Sequence, residues 1–167
     1  MLIKELLQTI PQVGIVNKIT VRSERRGEVI EKSEVEAIEG KGLSGDHYKK
    51  ATGKRQVTLI QAEHLDVIAK ILKKEEIDVK LTRRNIVVSG INLLSLKNQY
   101  FQIGEAILEG TGECHPCSRM EENFGEGGYN AMRGHGGLTA RIIKGGAIRV
   151  GDQVKFVKKE IPEDVNT

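Results

Sequence analysis

The stretch LTARIIKGGAIRVGDQVKFVKK, residues 138–159, consists of short apolar runs separated by two glycine-containing pairs. The pairs Gly145-Gly146 and Gly151-Asp152 are typical of tight turns, because these residue types tolerate the positive φ angles that hairpin turns require. β-branched residues are frequent in the runs between them. The stretch therefore predicts two or three consecutive β-strands joined by hairpin turns.

Most of the remaining chain shows the same pattern of short apolar runs between turns. Strands are predicted near residues 13–22 and 33–39, in RQVTLI (55–60), in RRNIVVSG (83–90) and, with a bulge at Gly104, in YFQIGEAILEGTGE (100–113). The segment QAEHLDVIAKILKKEE (61–76) has apolar residues at helical spacing and is the one clear amphipathic helix. INLLSLKNQ (91–99) predicts a short helix or turn.

This organisation predicts an α+β fold that is predominantly β. Many strands, one main amphipathic helix, a few short helices and no regular βαβ alternation indicate a mixed β-barrel. A chain of 167 residues with 38% hydrophobic content has enough apolar material for one core, so we expect a single domain over residues 1–167. Its core should span about residues 13–157, with a loosely ordered tail over 158–167.

Charge and apolar patterning narrow the class of partner and the location. The formal net charge of +3 is too weak to indicate nucleic-acid binding and fits a small anionic ligand at least as well. The N-terminal stretch carries Lys4 and Glu5 within its apolar run, which does not match a signal peptide. No apolar run approaches the roughly 18 residues needed to span a bilayer. We expect a cytoplasmic protein that binds neither nucleic acid nor membrane.

The segment GTGECHPCSRMEENFGEGGYNAMRGHGG (110–137) carries the chemistry, since it holds both cysteines of the chain. In a reducing compartment, Cys114 and Cys117 at this spacing are more often reactive or metal-binding than a structural disulfide. A dithiol redox motif of the thioredoxin type would lie within a βαβ unit, and that context is absent here. Structural zinc would need two further ligands, and no second Cys or His pair accompanies the motif.

A third interpretation is a single working thiol in an anion-binding pocket. The two glycine clusters, GEGG and GHGG, flank what we expect to be an unusually long loop, and glycines allow the backbone to approach a ligand closely. Several cationic side chains lie near Cys117 in the sequence, and positive charge favours both a thiolate and a phosphate-bearing ligand. These residues are Arg119, Arg133, His135 and Arg141.

The motifs together resemble those of the MOSC domain family, which forms the C-terminal domain of molybdenum cofactor sulfurases and also occurs as small separate proteins. CHPCSRME (114–121), followed by GGYNAMRGHGGLTARIIKGGAIRVGD (127–152), is similar to the family signature. GLSGDHY (42–48) resembles its Gly-x-x-Gly-Asp-x-His motif, and RRNIVVSG its Arg-x-Asn-Ile strand. The resemblance covers about residues 13–157 and implies a barrel similar to that of pyruvate kinase.

The resemblance also implies a molybdenum cofactor pocket and assigns residues to it. Cys117 matches the cysteine of the family and is the candidate for the reactive thiol and for a molybdenum ligand, with Cys114 as support. Neighbouring residues on a strand face opposite ways, so we expect at most one of Arg83 and Arg84 to enter the pocket, and Arg84 is the weaker candidate. The candidate cofactor-binding residues are Gly45, Asp46, His47, Arg83, Asn85, Arg119, Asn130, Arg133 and Gly134.

The implied activity is sulfur transfer, with Cys117 carrying the sulfur as a persulfide and molybdenum cofactor bound nearby. Complete sulfurases have an upstream pyridoxal phosphate domain that 167 residues cannot contain beside this one. A separate cysteine desulfurase would therefore supply the sulfur and the pyridoxal phosphate. Molybdenum enzymes or cofactor biosynthesis proteins would be the acceptors. The alternatives are a molybdenum-dependent reductase of N-hydroxylated compounds and a carrier or chaperone of molybdenum cofactor without chemistry of its own.

Overall fold

A computed structural model describes residues 1–47 and 53–159. Its centre is a barrel of seven strands, which confirms the predicted fold class. The strands are β1 (Val13–Val21), β2 (Ile30–Lys32), β3 (Glu34–Ile38), β4 (Gly42–Leu43), β5 (Val57–Gln61), β6 (Ile86–Ser89), β7 (Tyr100–Ile103), β8 (Ala106–Glu113), β9 (Leu138–Lys144), β10 (Gly146–Arg149) and β11 (Gln153–Val157). The helices are α1 (Ile3–Leu6), α2 (Ala62–Ile71), α3 (Val79–Thr82), α4 (Ser118–Phe124) and α5 (Gly128–Met132), with a 3₁₀ helix at Leu93–Leu96.

The barrel follows the strand order β11-β7-β8-β9-β5-β6-β1 and closes because β1 also pairs with β11. Strand β2 extends the sheet beyond β1, and β10, β3 and β4 form a separate three-stranded sheet. Within the barrel β5 and β6 are parallel, whereas the other neighbouring strands are antiparallel. The barrel is therefore mixed, and closure leaves its strands without free edges.

The parallel pair β5–β6 is buried on both faces, which explains its nearly continuous apolar sequence. Leu59 and Ile86 point into the barrel core, whereas Ile60 and Val87 belong to a second apolar cluster outside it. That second cluster is formed with residues of α2, α4 and α5. The predicted amphipathic helix is confirmed at Ala62–Ile71 and ends five residues before the predicted end. Residue Lys73 beyond it has a φ of 56°, which helical geometry excludes.

Two turn predictions are wrong. Gly104 is not a bulge in one strand: the chain reverses at Gly104-Glu105, and Ile103 pairs with Ala106 across the hairpin β7–β8. Two or three strands were predicted after residue 137, and the structure has three. However, β10 pairs with β3 in the separate sheet, so the turns at 145–146 and 151–152 do not make hairpins. These glycines instead mark corners where the chain leaves one sheet for another.

The expected long loop between the two glycine clusters is also wrong, because α5 occupies most of it. The first turn of α5 lies close against α4, since a Cβ on Gly128 would lie 2.6 Å from the Met120 carbonyl oxygen. Residues 160–167 of the expected loose tail lie outside the described residues. Among the described residues, no helix combines the length and apolar character that crossing a bilayer would require.

Candidate functional site

Cys117 opens onto a cavity of about 300 Å³ that we call the arginine cavity. Segments distant in sequence converge on it: the chain after β1, the residues before β5, the connection from α3 to β6, and the start of α4. Its lining residues are Arg22, Arg25, Arg26, Arg55, Arg83, Arg84, Cys117, Ser118, Arg119, Met120 and Glu122. The lining thus contains seven arginines and a single carboxylate, that of Glu122.

The two cysteines occupy different environments. Cys117 is exposed, whereas Cys114 is buried with 1% of its surface accessible. The backbone amide of Cys114 donates to the Gly137 carbonyl oxygen at 2.8 Å, which ties the end of β8 to the start of β9. Both thiols are free. A reagent or ligand in the arginine cavity can therefore reach Cys117, while Cys114 contributes to the packing beneath the loop.

Arg84 anchors residues 114–117, which connect β8 to α4 and which we call the cysteine loop. Its Nε donates to the Gly136 carbonyl oxygen at 2.8 Å, and one terminal nitrogen donates to the carbonyl oxygens of Cys114 and His115 at 3.3 and 3.4 Å. The other terminal nitrogen donates to the Thr82 carbonyl oxygen at 3.1 Å. The side chain is 3% exposed, and burial lowers its pKa below the ordinary value. A buried cation thus connects the cysteine loop to the chain before β6.

The preference for Arg83 over Arg84 was therefore wrong in one respect, since both border the arginine cavity. They are not neighbours on a strand: Arg83 ends α3 with a φ of 58°, a left-handed conformation that redirects its side chain. Arg83 donates from a terminal nitrogen to the Arg25 carbonyl oxygen at 2.9 Å. Arg22 donates to the same oxygen at 3.0 Å, so two guanidinium groups hold the segment after β1.

Arg83 also has one unsatisfied donor. Its Nε is shielded from solvent and has no hydrogen-bond partner within residues 1–47 and 53–159. Burial lowers the pKa of Arg83, and the positive charges of Arg22 and Arg119 lower it further. Burial is also the largest cause of the lowered pKa of Arg22. A buried donor without a partner costs roughly 1–3 kcal/mol, so an anionic acceptor at this position would be favoured.

Asp46 and Asn85 do not line the arginine cavity but form hydrogen bonds to the segments next to it. Asp46 accepts hydrogen bonds from the Arg22 backbone amide at 3.0 Å and from the Asn85 side-chain amide at 3.1 Å. Asn85 in turn accepts from the Thr58 amide at 3.0 Å and donates to the Thr20 carbonyl oxygen at 3.1 Å. Burial raises the pKa of Asp46 above the ordinary value for an aspartate, although the hydrogen bonds from Arg22 and Asn85 oppose that shift.

The other residues of the Gly-Asp-His motif serve the same junction. Gly45 has a φ of 80°, which favours glycine, and the backbone amide of His47 donates to the Arg22 carbonyl oxygen at 2.7 Å. The motif therefore fixes the end of β1, where the chain enters the arginine cavity. The His47 side chain is exposed and does not line that cavity.

The remaining predicted residues lie elsewhere. Arg133 and Gly134 border a second recess of about 350 Å³, together with Glu113, His115, Pro116 and Tyr129. Asn130 is exposed on α5 and lines neither this recess nor the arginine cavity. Of the predicted residues, the structure brings together Cys117, Arg83 and Arg119 in one cavity. Among the described residues, no group of three or more His, Cys, Asp or Glu side chains is placed to hold a metal ion.

Sequence reasoning missed five cavity arginines, which are Arg22, Arg25, Arg26, Arg55 and Arg84. A signal existed for three of them, because RSERR (22–26) begins at the last residue of the strand predicted at 13–22. Basic residues at the end of a strand are candidates for ligand contacts. Only the barrel shows that this segment lies beside Cys117, more than 90 residues later in the sequence.

Comparisons with known proteins agree with this fold. The sequence profile of the MOSC domain matches residues 40–155. The YuaD protein of Bacillus subtilis superposes with a TM-score of 0.76 at 17% identity, covering 91% of this chain and all of that chain. YiiM of Escherichia coli has a TM-score of 0.66 at 17% identity, covering 87% of this chain and 70% of its own.

YiiM of Geobacillus stearothermophilus superposes with a TM-score of 0.71 at 13% identity, covering 89% of this chain and 77% of its own. At these identities the structural matches show the shared fold. No curated protein matches the chain. The profile covers well over half of the sequence and includes the motif of Gly45–His47, the Arg83–Asn85 segment and the cysteine loop. The chain therefore belongs to the MOSC domain family.

Proposed function

We propose that this protein binds molybdenum cofactor in the arginine cavity and that Cys117 receives and passes on sulfur as a persulfide. The observation that carries the proposal is the exposed thiol of Cys117 at the border of a cavity lined by seven arginines. The MOSC family is associated with molybdenum cofactor. The phosphate of this cofactor requires cationic donors, and its sulfur-rich metal centre requires a soft ligand close to those donors.

The residues of the cavity fit such a group. The unsatisfied Nε of Arg83 is a donor that a phosphate oxygen would satisfy, and Arg22 lies beside it on the same carbonyl oxygen. Guanidinium groups bind phosphate in bidentate fashion. Cys117 would provide the soft sulfur ligand that the metal centre of the cofactor requires. When bound, the cofactor would supply a molybdenum centre that exchanges oxygen and sulfur ligands.

The transfer of sulfur to Cys117 can be written as a balanced thiol–persulfide exchange. Its thiolate attacks the terminal sulfur of a persulfide on a donor protein, and a new S–S bond forms on Cys117. The S–S bond of the donor breaks, and the donor cysteine leaves as a thiolate that takes up a proton. No net oxidation occurs, because one S–S bond replaces another. In the delivery step, a thiolate of the acceptor protein would attack the outer sulfur of the Cys117 persulfide, a new S–S bond would form on the acceptor, and Cys117 would leave as a thiolate. A cysteine desulfurase is the class of donor that produces such a persulfide.

The test is mass spectrometry of the protein after incubation with a cysteine desulfurase and cysteine. We expect the mass of one added sulfur on the peptide that contains Cys117. Cys117→Ser should abolish the addition, whereas Cys114→Ser is the matched control and should retain most of it, because Cys114 is buried. Absence of sulfur on Cys117 would refute the sulfur-transfer part of the proposal.

Cofactor binding is tested separately by metal and pterin analysis of the protein purified from its own cells. Retained cofactor in Cys117→Ser without sulfur loading would indicate a carrier of the cofactor. Lack of both molybdenum and pterin in the wild-type protein would contradict the cofactor part of the proposal.

A further inference from the structure

The arginine cavity contains more guanidinium groups than a single phosphate can engage. Arg84 directs its donors to four backbone carbonyl oxygens, which leaves six arginines for a ligand. None of these six forms a salt bridge within the described residues, where the ion pairs involve other side chains. The six are Arg22, Arg25, Arg26, Arg55, Arg83 and Arg119.

These six arginines differ in burial and so form two groups. Arg22, Arg83 and Arg119 are half-buried and make up the inner group. Arg25, Arg26 and Arg55 are exposed and make up the outer group. The inner group includes the unsatisfied Nε of Arg83. The backbone of Arg25 connects the groups, because its carbonyl oxygen accepts hydrogen bonds from both Arg22 and Arg83.

Phosphate geometry limits how many arginines one group can bind. A terminal phosphate has three free oxygens and therefore three O···O edges, and each bidentate guanidinium occupies one edge. Three arginines saturate it, so the inner group would suffice for one phosphate. The mutual repulsion of the outer arginines would then remain uncompensated. A molybdenum centre would be held by the soft sulfur of Cys117 and does not require them.

We propose that the arginine cavity recognises a diphosphate, with one phosphate on the inner group and the next on the outer group. This deepens the proposed function and rests on it: the cofactor would be taken up in a form that carries a diphosphate, such as a nucleotide-linked form. The diphosphate of a free nucleotide has the same chemistry and is distinguished experimentally.

The test is isothermal titration calorimetry of the full chain with inorganic phosphate, pyrophosphate and a nucleoside diphosphate at constant ionic strength. We expect pyrophosphate to bind at least about tenfold more tightly than phosphate, because the additional charge-assisted hydrogen bonds are made by the outer group. The double variant Arg25→Ala/Arg26→Ala should lose most of this preference while retaining phosphate binding. The matched control is Arg149→Ala, an exposed arginine paired with Glu34 outside the cavity, which should leave the preference unchanged.

Equal affinity for phosphate and pyrophosphate would overturn the inference, as would an unchanged preference in the double variant. A nucleoside diphosphate that binds as well as pyrophosphate supports the diphosphate as the recognised unit and leaves the base without a role. One that binds no better than phosphate overturns it. Loss of sulfur loading with the pyrophosphate preference intact would count against the proposed function alone. Intact sulfur loading without the preference would count against the diphosphate alone.

Discussion

Replacement of Arg84 by methionine should destabilise the protein strongly, although its hydrogen-bond partners among the described residues are all backbone carbonyl groups. The substitution removes donors from the carbonyl oxygens of Gly136 and Thr82, at 2.8 and 3.1 Å, and from two more distant carbonyls in the cysteine loop. Methionine fills a similar elongated space but donates no hydrogen bond. Carbonyl groups in a buried position would remain without partners.

The magnitude follows from those contacts. Each buried acceptor left unsatisfied costs about 1–3 kcal/mol, and two short hydrogen bonds are lost. Removal of a desolvated charge offsets part of this cost, since burial already lowers the pKa of Arg84. We expect a net loss of about 3 kcal/mol in the free energy of unfolding. For a domain of this size, that corresponds to a melting temperature lower by roughly 6–12 °C.

The assay is urea denaturation of wild type, Arg84→Met and Arg84→Lys, followed by circular dichroism. Lysine retains the charge, but one ammonium group cannot match a planar guanidinium that contacts three chain segments, so we expect it to restore less than half of the loss. Arg149→Ala serves as a control for loss of a surface arginine and should cost less than about 1 kcal/mol. An Arg84→Met variant within about 1 kcal/mol of wild type would refute this account of the cysteine loop.

Two further substitutions test the supports around the site. Backbone amides of Tyr129 and Gly127 donate to Glu121 and lower its pKa below the ordinary value for a glutamate. The ionised form therefore stabilises the fold at pH values above that ordinary value, and this stabilisation is lost as the pH falls through the lowered pKa. Glu121→Gln should therefore lower the melting temperature at pH 7, with a difference from wild type that shrinks in scans below about pH 4.5; a constant difference across pH would contradict this. Asp46→Asn should cost about 1–3 kcal/mol in urea denaturation at pH 7, because the new amide would face the donor of Asn85; a neutral result would show that Asn85 can reorient.

The sequence allowed the fold class to be predicted because local patterns carry most of that information. Apolar runs of strand length, the helical spacing around Leu65 and Ile68, and turn residues all describe interactions between near neighbours. The glycine pairs at 145–146 and 151–152 correctly marked the ends of strands. They could not show which strands pair, because glycine serves both at hairpin turns and at corners between two sheets: Gly151 has a φ of 93° at such a corner, and hairpin turns also use positive φ values.

The candidate site was also predictable only in those features that local sequence patterns describe. The motif was enough to select Cys117 as the candidate cysteine. It could not show that Cys117 is exposed, since Cys114 lies three residues away in the same motif and is buried. Arg133 follows the cysteine loop closely in sequence but borders a different recess, because α4 and α5 intervene.

By itself, the sequence determined the strand-rich composition, the main helix and the cysteine that meets the cavity. The tertiary structure alone decided that the arginines after β1, before β5 and before β6 surround that cysteine. The physical reason is barrel closure: hydrogen bonding of β1 to β6 and of β5 to β9 brings together segments that no local pattern relates. The same closure places Arg84 beneath the loop, where burial turns an apparently solvated arginine into a structural donor.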